Sequence, residues 1–93
     1  MIDNAELLAF FEEEYRGEYG TRRDIRPVDR LHDDLGVESL FVTELLVALE
    51  DMHGLRLLHD PRVWKVRTVG EMLDLVGVIE AEQDAVASAG ATA

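Results

Sequence analysis

Asp34-Leu35-Gly36-Val37-Glu38-Ser39-Leu40 sets a serine among carboxylates, just after a glycine turn and just before an apolar run. Two readings of Ser39 follow from chemistry. Serine is among the best helix N-cap residues, because its hydroxyl accepts from the free amides of the first turn. A hydroxyl at a helix mouth is also a good place to make and keep a phosphodiester, since those amides and the helix dipole favour phosphate. Catalysis by the chain itself is not indicated. His32, His53 and His59 make no recognisable spacing with Ser39, and no Gly-x-Ser-x-Gly elbow exists. The same histidines form no i, i+4 metal pair and the acids follow no calcium-loop pattern, so no metal site is expected.

The run after Ser39 predicts a helix to about His53, stopped by Gly54. Around its wheel Val42, Leu45, Leu46 and Leu49 form an aliphatic core face. A second stripe holds Phe41, Glu44, Ala48 and Asp51, and a third holds Leu40, Thr43, Val47 and Glu50. Residues 33–51 carry six acids and no Lys or Arg. Apolar anchors ringed by charge of one sign read as a partner-docking face, so Leu40, Phe41, Glu44, Val47, Glu50 and Asp51 are its candidates. A solvated face with stray apolar residues is the competing reading.

Outward from this helix, Asp3-Asn4-Ala5-Glu6 has the form of a capping box, followed by Leu7, Leu8, Phe11 and Tyr15 at helical spacing and by Gly17 as a stop. Residues 17–38 form a long connection carrying Pro27, with Arg16, Arg22, Arg23, Arg26 and Arg30 in or beside it. Ile25, Val28, Leu31 and Leu35 are expected to pin it to the core, since an unanchored loop of that length is unusual in a small domain. Asp60-Pro61 starts a single helical turn through Trp64. Thr68-Val69-Gly70-Glu71 is a second capping box, opening a last helix with Val69, Met72, Leu73, Val76 and Ile79 on one face. No alternating β-branched window is long enough for a strand. The expectation is an all-α four-helix bundle, three main helices and one short one, as a single domain over 1–85 with a disordered small-residue tail over 86–93.

Ninety-three residues make one domain, burying roughly 60–65% of the unfolded chain's surface, which leaves little room for a deep catalytic cleft. There is no cysteine, so any thiol chemistry must arrive on something attached. The opening MIDNAELLAFFEEE lacks the basic start of a signal peptide and no stretch reaches membrane-spanning length, so a cytoplasmic protein with no membrane partner is expected. Twenty acidic against nine basic residues give −11. The charge falls in blocks: −5 over residues 1–14, +2 over 15–32, −6 over 33–51, +3 over 52–67 and −5 over 68–93. Such a surface repels nucleic acid, which excludes a helix-turn-helix reader, and steers basic proteins toward its acidic face.

The motif around Ser39, followed by Glu44-Leu45, by Ala48-Leu49-Glu50-Asp51 and by His53-Gly54-Leu55-Arg56-Leu57, resembles the modification site and second helix of acyl carrier proteins. Lys65-Val66-Arg67-Thr68-Val69 resembles the approach to that family's last helix, and the likeness runs from residue 31 to about 80. It implies a non-enzymatic carrier, a monomeric bundle whose Ser39 bears 4′-phosphopantetheine. A phosphopantetheinyl transferase would attach that arm from coenzyme A with the help of magnesium. The arm's thiol would hold acyl intermediates as thioesters, and ketosynthases, acyltransferases or other acyl-processing enzymes would dock on the second helix. Three departures stand out: Glu38 where aspartate is usual, Phe41 where fatty-acid carriers commonly have an acid, and the Arg-bearing loop with Trp64. Together they point to polyketide or related specialised biosynthesis rather than bulk fatty-acid synthesis. A peptidyl or aminoacyl carrier is the nearest alternative, although Val37-Glu38 does not fit its Gly-Gly-x-Ser-Leu pattern. From a different class, an unmodified acidic helical docking domain would leave Ser39 as a cap alone.

Overall fold

The computed structural model describes residues 3–20 and 23–92, with side chains through residue 86, so Arg22 lies outside the described residues. Its elements are α1 (Asn4–Tyr19), α2 (Ser39–His53), a 3-10 turn (Pro61–Trp64) and α3 (Val69–Thr92). The all-α bundle of three main helices and a short one is therefore the fold. The Asp3 side chain caps α1 by accepting from the Ala5 amide at 3.0 Å. This helix does not stop at Gly17. It continues to Tyr19 and closes at Gly20, whose φ of 69° is the left-handed value a helix terminus favours in glycine. The apolar period decides the length, because Tyr15 and Tyr19 are the next two positions on the buried stripe.

The expected core faces are the observed ones. Leu7, Phe11 and Tyr15 from α1 meet Val42, Leu45, Leu46 and Leu49 from α2 and Val69, Met72, Leu73, Val76 and Ile79 from α3. Leu57 and Val63 fill the end between α2 and α3. The helical backbone of α3 runs on through residues 86–92, while its last buried side chain among the described residues is Ile79.

The long connection is pinned by Ile25, Leu31, Leu35 and Val37. Val28 is not one of its anchors: it is 70% exposed, because the turn at Asp29 points its neighbour outward. Asp29 itself is buried, and its carboxylate accepts from the Arg26 amide at 2.8 Å. The loop's backbone pairs with the approach to α3. The Leu31 amide donates to the Arg67 carbonyl at 2.9 Å, Val69 donates to Asp29 at 3.0 Å, and Gly70 donates to Pro27 at 2.8 Å. Gly70 permits this close approach. A Cβ at that position would lie 3.0 Å from the Pro27 carbonyl oxygen.

Candidate functional site

Ser39 stands on a pedestal built by the loop before it. Residues 31–35 make one turn, closed by the Gly36 amide donating to His32 at 3.0 Å, with Gly36 at φ 65°. The Val37 amide then donates back to the Leu31 carbonyl at 2.7 Å. Two tyrosines of α1 hold this turn from below. The buried Tyr15 hydroxyl donates to the Leu35 carbonyl at 2.8 Å, and the Tyr19 phenol oxygen accepts from the Glu38 amide at 3.2 Å. Neither tyrosine was read as part of the site from sequence. Their i, i+4 spacing signals a core face, and nothing local says that the hydroxyls reach the serine loop.

Ser39 does not cap α2. It is the first helical residue, Glu38 is the N-cap, and no side chain bonds to the α2 amides from that position. The serine is exposed, as is Glu38. Its hydroxyl thus sits at a helix mouth whose amides are not spent on a cap, an arrangement that accommodates a phosphodiester on that oxygen.

The six candidate docking residues divide. Leu40 is 62% exposed and Val47 47%, with Glu44 and Asp51 exposed beside them. These four fall on a single stripe at i, i+4, i+7 and i+11. Met52, also exposed, lies at its edge. Phe41 does not belong to this face. It is buried at 4%, its ring 5.6 Å from Phe11, 5.5 Å from Tyr19 and 6.2 Å from Tyr15. The three α1 aromatics make a slot for it that a wheel drawn on α2 alone cannot show. Glu50 is half-buried and faces inward along the chain: its carboxylate accepts from the Leu57 amide at 2.6 Å and the Leu58 amide at 3.0 Å. Those two bonds hold the Glu50 carboxyl below the usual carboxylate range. Its work is to tie the 54–58 turn to α2 rather than to meet a partner.

A cleft of about 460 Å³ opens beside Ser39, between the start of α2 and the 3-10 turn. Val37, Val42, Val63 and Val66 form its apolar floor, with His32, Glu38 and Trp64 at the rim. Trp64 is 47% exposed, and its indole N–H donates to the Leu58 carbonyl at 3.2 Å, which fixes the ring in place. The 3-10 turn that carries it is anchored in turn. Asp60 caps it, and the Arg62 guanidinium bridges Asp60 at 2.8 Å and Glu82 of α3 at 2.6 Å. That guanidinium holds both carboxyls below their usual range. Among the described residues no group of three or more His, Cys, Asp or Glu side chains could hold a metal ion. No described helix is long and apolar enough to cross a membrane.

No protein-family model matches the chain. A comparison with curated proteins finds an acyl carrier protein from Acidothermus cellulolyticus, 38% identical over 53 residues. That alignment takes in 57% of this chain, and it spans 62% of the relative's length, a little under two thirds.

Proposed function

We propose that this chain, similar over 53 residues to a curated acyl carrier protein, is a carrier in which Ser39 bears 4′-phosphopantetheine. The observation that carries it is the exposed Ser39 hydroxyl on its pedestal, at a helix mouth whose N-cap side chain, Glu38, makes no capping hydrogen bond. The Ser39 oxygen forms a bond to the pantetheine-bearing phosphorus of coenzyme A as the bond from that phosphorus to the bridging pyrophosphate oxygen breaks, adenosine 3′,5′-bisphosphate leaves, and the hydroxyl proton goes to a base of the transferase. When attached, the arm supplies a thiol that holds an acyl group as a thioester, chemistry that a chain without cysteine needs from outside. The α2 amides stabilise the phosphodiester charge, and Tyr15 and Tyr19 keep the loop from turning the hydroxyl inward. Leu40, Glu44, Val47 and Asp51 meet the transferase and the acyl-processing enzymes, ketosynthases and acyltransferases among them. The protein is a substrate of those enzymes and not itself a catalyst.

A dedicated pathway of polyketide or related type, in the cytoplasm, is part of the proposal. Its support is now Glu38 before the serine and Trp64 beside it, since Phe41 serves the core. The test is intact mass after incubation with coenzyme A and a broad-specificity transferase. The wild-type chain gains one phosphopantetheine, and Ser39→Ala gains none while keeping its helical circular dichroism. Modification that persists in the alanine variant moves the site to another hydroxyl and overturns the assignment. No modification of either form favours the unmodified docking domain.

A further inference from the structure

The N-cap residue of α2, Glu38, makes no capping bond with its side chain, and Ser39 is the first residue inside the helix. Helix ends fray, so a hydroxyl carried at the first position moves with that fraying. In a capping box the third helical residue, a Glu or Gln, reaches back to accept from the N-cap amide and steadies the end. The third residue of α2 is Phe41, which has no acceptor to offer and is buried in the core.

Tyr19 supplies what Phe41 cannot. Its phenol oxygen accepts from the Glu38 amide at 3.2 Å, and its ring stands 5.5 Å from the ring of Phe41 and 4.7 Å from that of Tyr15. One side chain of α1 thus holds the residue before Ser39 by a hydrogen bond and the residue two beyond it by ring packing. The intervening backbone is engaged as well. The Glu38 carbonyl accepts from the Val42 amide at 3.2 Å, and the Ser39 carbonyl accepts from the Thr43 hydroxyl at 2.9 Å. The continuation of α1 past Gly17, to its close at Gly20, is what delivers Tyr19 to this place.

We propose that Tyr19 is a positioning residue for the modification of Ser39: its hydroxyl takes, from a neighbouring helix, the part that a capping box gives to the third residue of the helix itself, and so keeps the Ser39 oxygen still for transfer. The inference rests on the carrier reading of Ser39. Reaction rates depend steeply on the placement of the reacting atoms. The exposed stripe of Leu40, Glu44, Val47 and Asp51 makes no contact with this hydroxyl, so the effect belongs to the transfer step and not to docking.

The experiment compares the wild-type chain with Tyr19→Phe, which keeps the ring against Phe41 and removes only the oxygen. Initial rates of modification by a broad-specificity transferase are measured over a range of carrier concentrations, with coenzyme A in excess and intact mass as the readout. Tyr19→Phe lowers kcat by about 2- to 10-fold, the worth of one hydrogen bond. KM for the carrier stays within about two-fold, as expected when docking is untouched. Nitrogen–proton NMR shows the Glu38 amide exchanging faster with solvent, while amides in the middle of α2 keep their protection. Ile79→Val serves as the control for stability alone: it loosens the core far along α3, lowers the denaturation midpoint and leaves kcat unchanged. An unchanged kcat in Tyr19→Phe overturns the proposal and leaves the carrier reading standing. A rise in KM alone overturns it too and places Tyr19 in docking, and an equal loss of kcat in Ile79→Val reduces the effect to stability. Absence of any mass gain in the wild type overturns the carrier reading and this proposal with it.

Discussion

Phe41 shows how one side chain can change allegiance once its neighbours are in place. From sequence it stands between two acids on the helix that partners would meet; in the fold it closes an aromatic cluster with Phe11, Tyr15 and Tyr19. Truncating a buried aromatic costs about 3–5 kcal/mol, through lost transfer energy and the cavity left behind. Phe41→Ala is accordingly expected to lower the unfolding free energy by about that amount, read by urea denaturation. It should also loosen the loop that Tyr15 and Tyr19 hold under Ser39. An effect confined to partner binding, with stability unchanged, would return Phe41 to the surface. Ser39 and its motif were legible because the pattern is local, whereas the tyrosine contacts join residues 15 to 35 and 19 to 38 and leave no local trace.

At the scale of the element, the ends of helices were the most legible features. Asp3, Asp60, Thr68 and Gly54 each occupy the terminus that their chemistry favours. Gly17 misled because a glycine can sit inside a helix at a tolerable cost while the apolar stripe continues past it. Glu50 misled in another way, since its position on the wheel says nothing of a turn seven residues on that needs its oxygens. This gives an expectation for pH. A carboxyl whose folded pKa is depressed stabilises fully above the ordinary carboxylate range, and that stability is lost as pH falls through the folded value. Replacing Glu50 by Gln keeps the shape and removes the charge on the acceptor. The expected loss is about 1 kcal/mol near neutral pH. Denaturation midpoints measured from neutral to acid should show the gap between wild type and Glu50→Gln closing as pH drops below the carboxylate range. A gap that stays constant with pH would mean that the ionised form is not what caps Leu57 and Leu58.

Over the whole molecule, the acids and the bases are sorted by position along the chain, −6 over residues 33–51 and +3 over residues 52–67. On the proposed reading a basic partner meets α2, where Glu44 and Asp51 flank Leu40 and Val47. Exposed charge pairs contribute about 0.2–1 kcal/mol each, so Glu44→Lys and Asp51→Lys together are expected to slow acyl transfer by roughly 2- to 30-fold. Stopped-flow measurement at low and high salt should place the loss in association, and the loss should shrink as salt rises. Rates insensitive to both substitutions and to salt would make α2 a solvated face only. The pairing of the first loop with residues 67–70 has a bearing on the order of events in the cell. Translation delivers the Ser39 hydroxyl well before Arg67, Val69 and Gly70, whose backbone groups fix the loop that presents it. While the chain is still emerging, the serine exists but its platform does not. On the carrier reading, the Ser39 platform is complete only once residues 67–70 have been made, and a chain terminated before them does not present it.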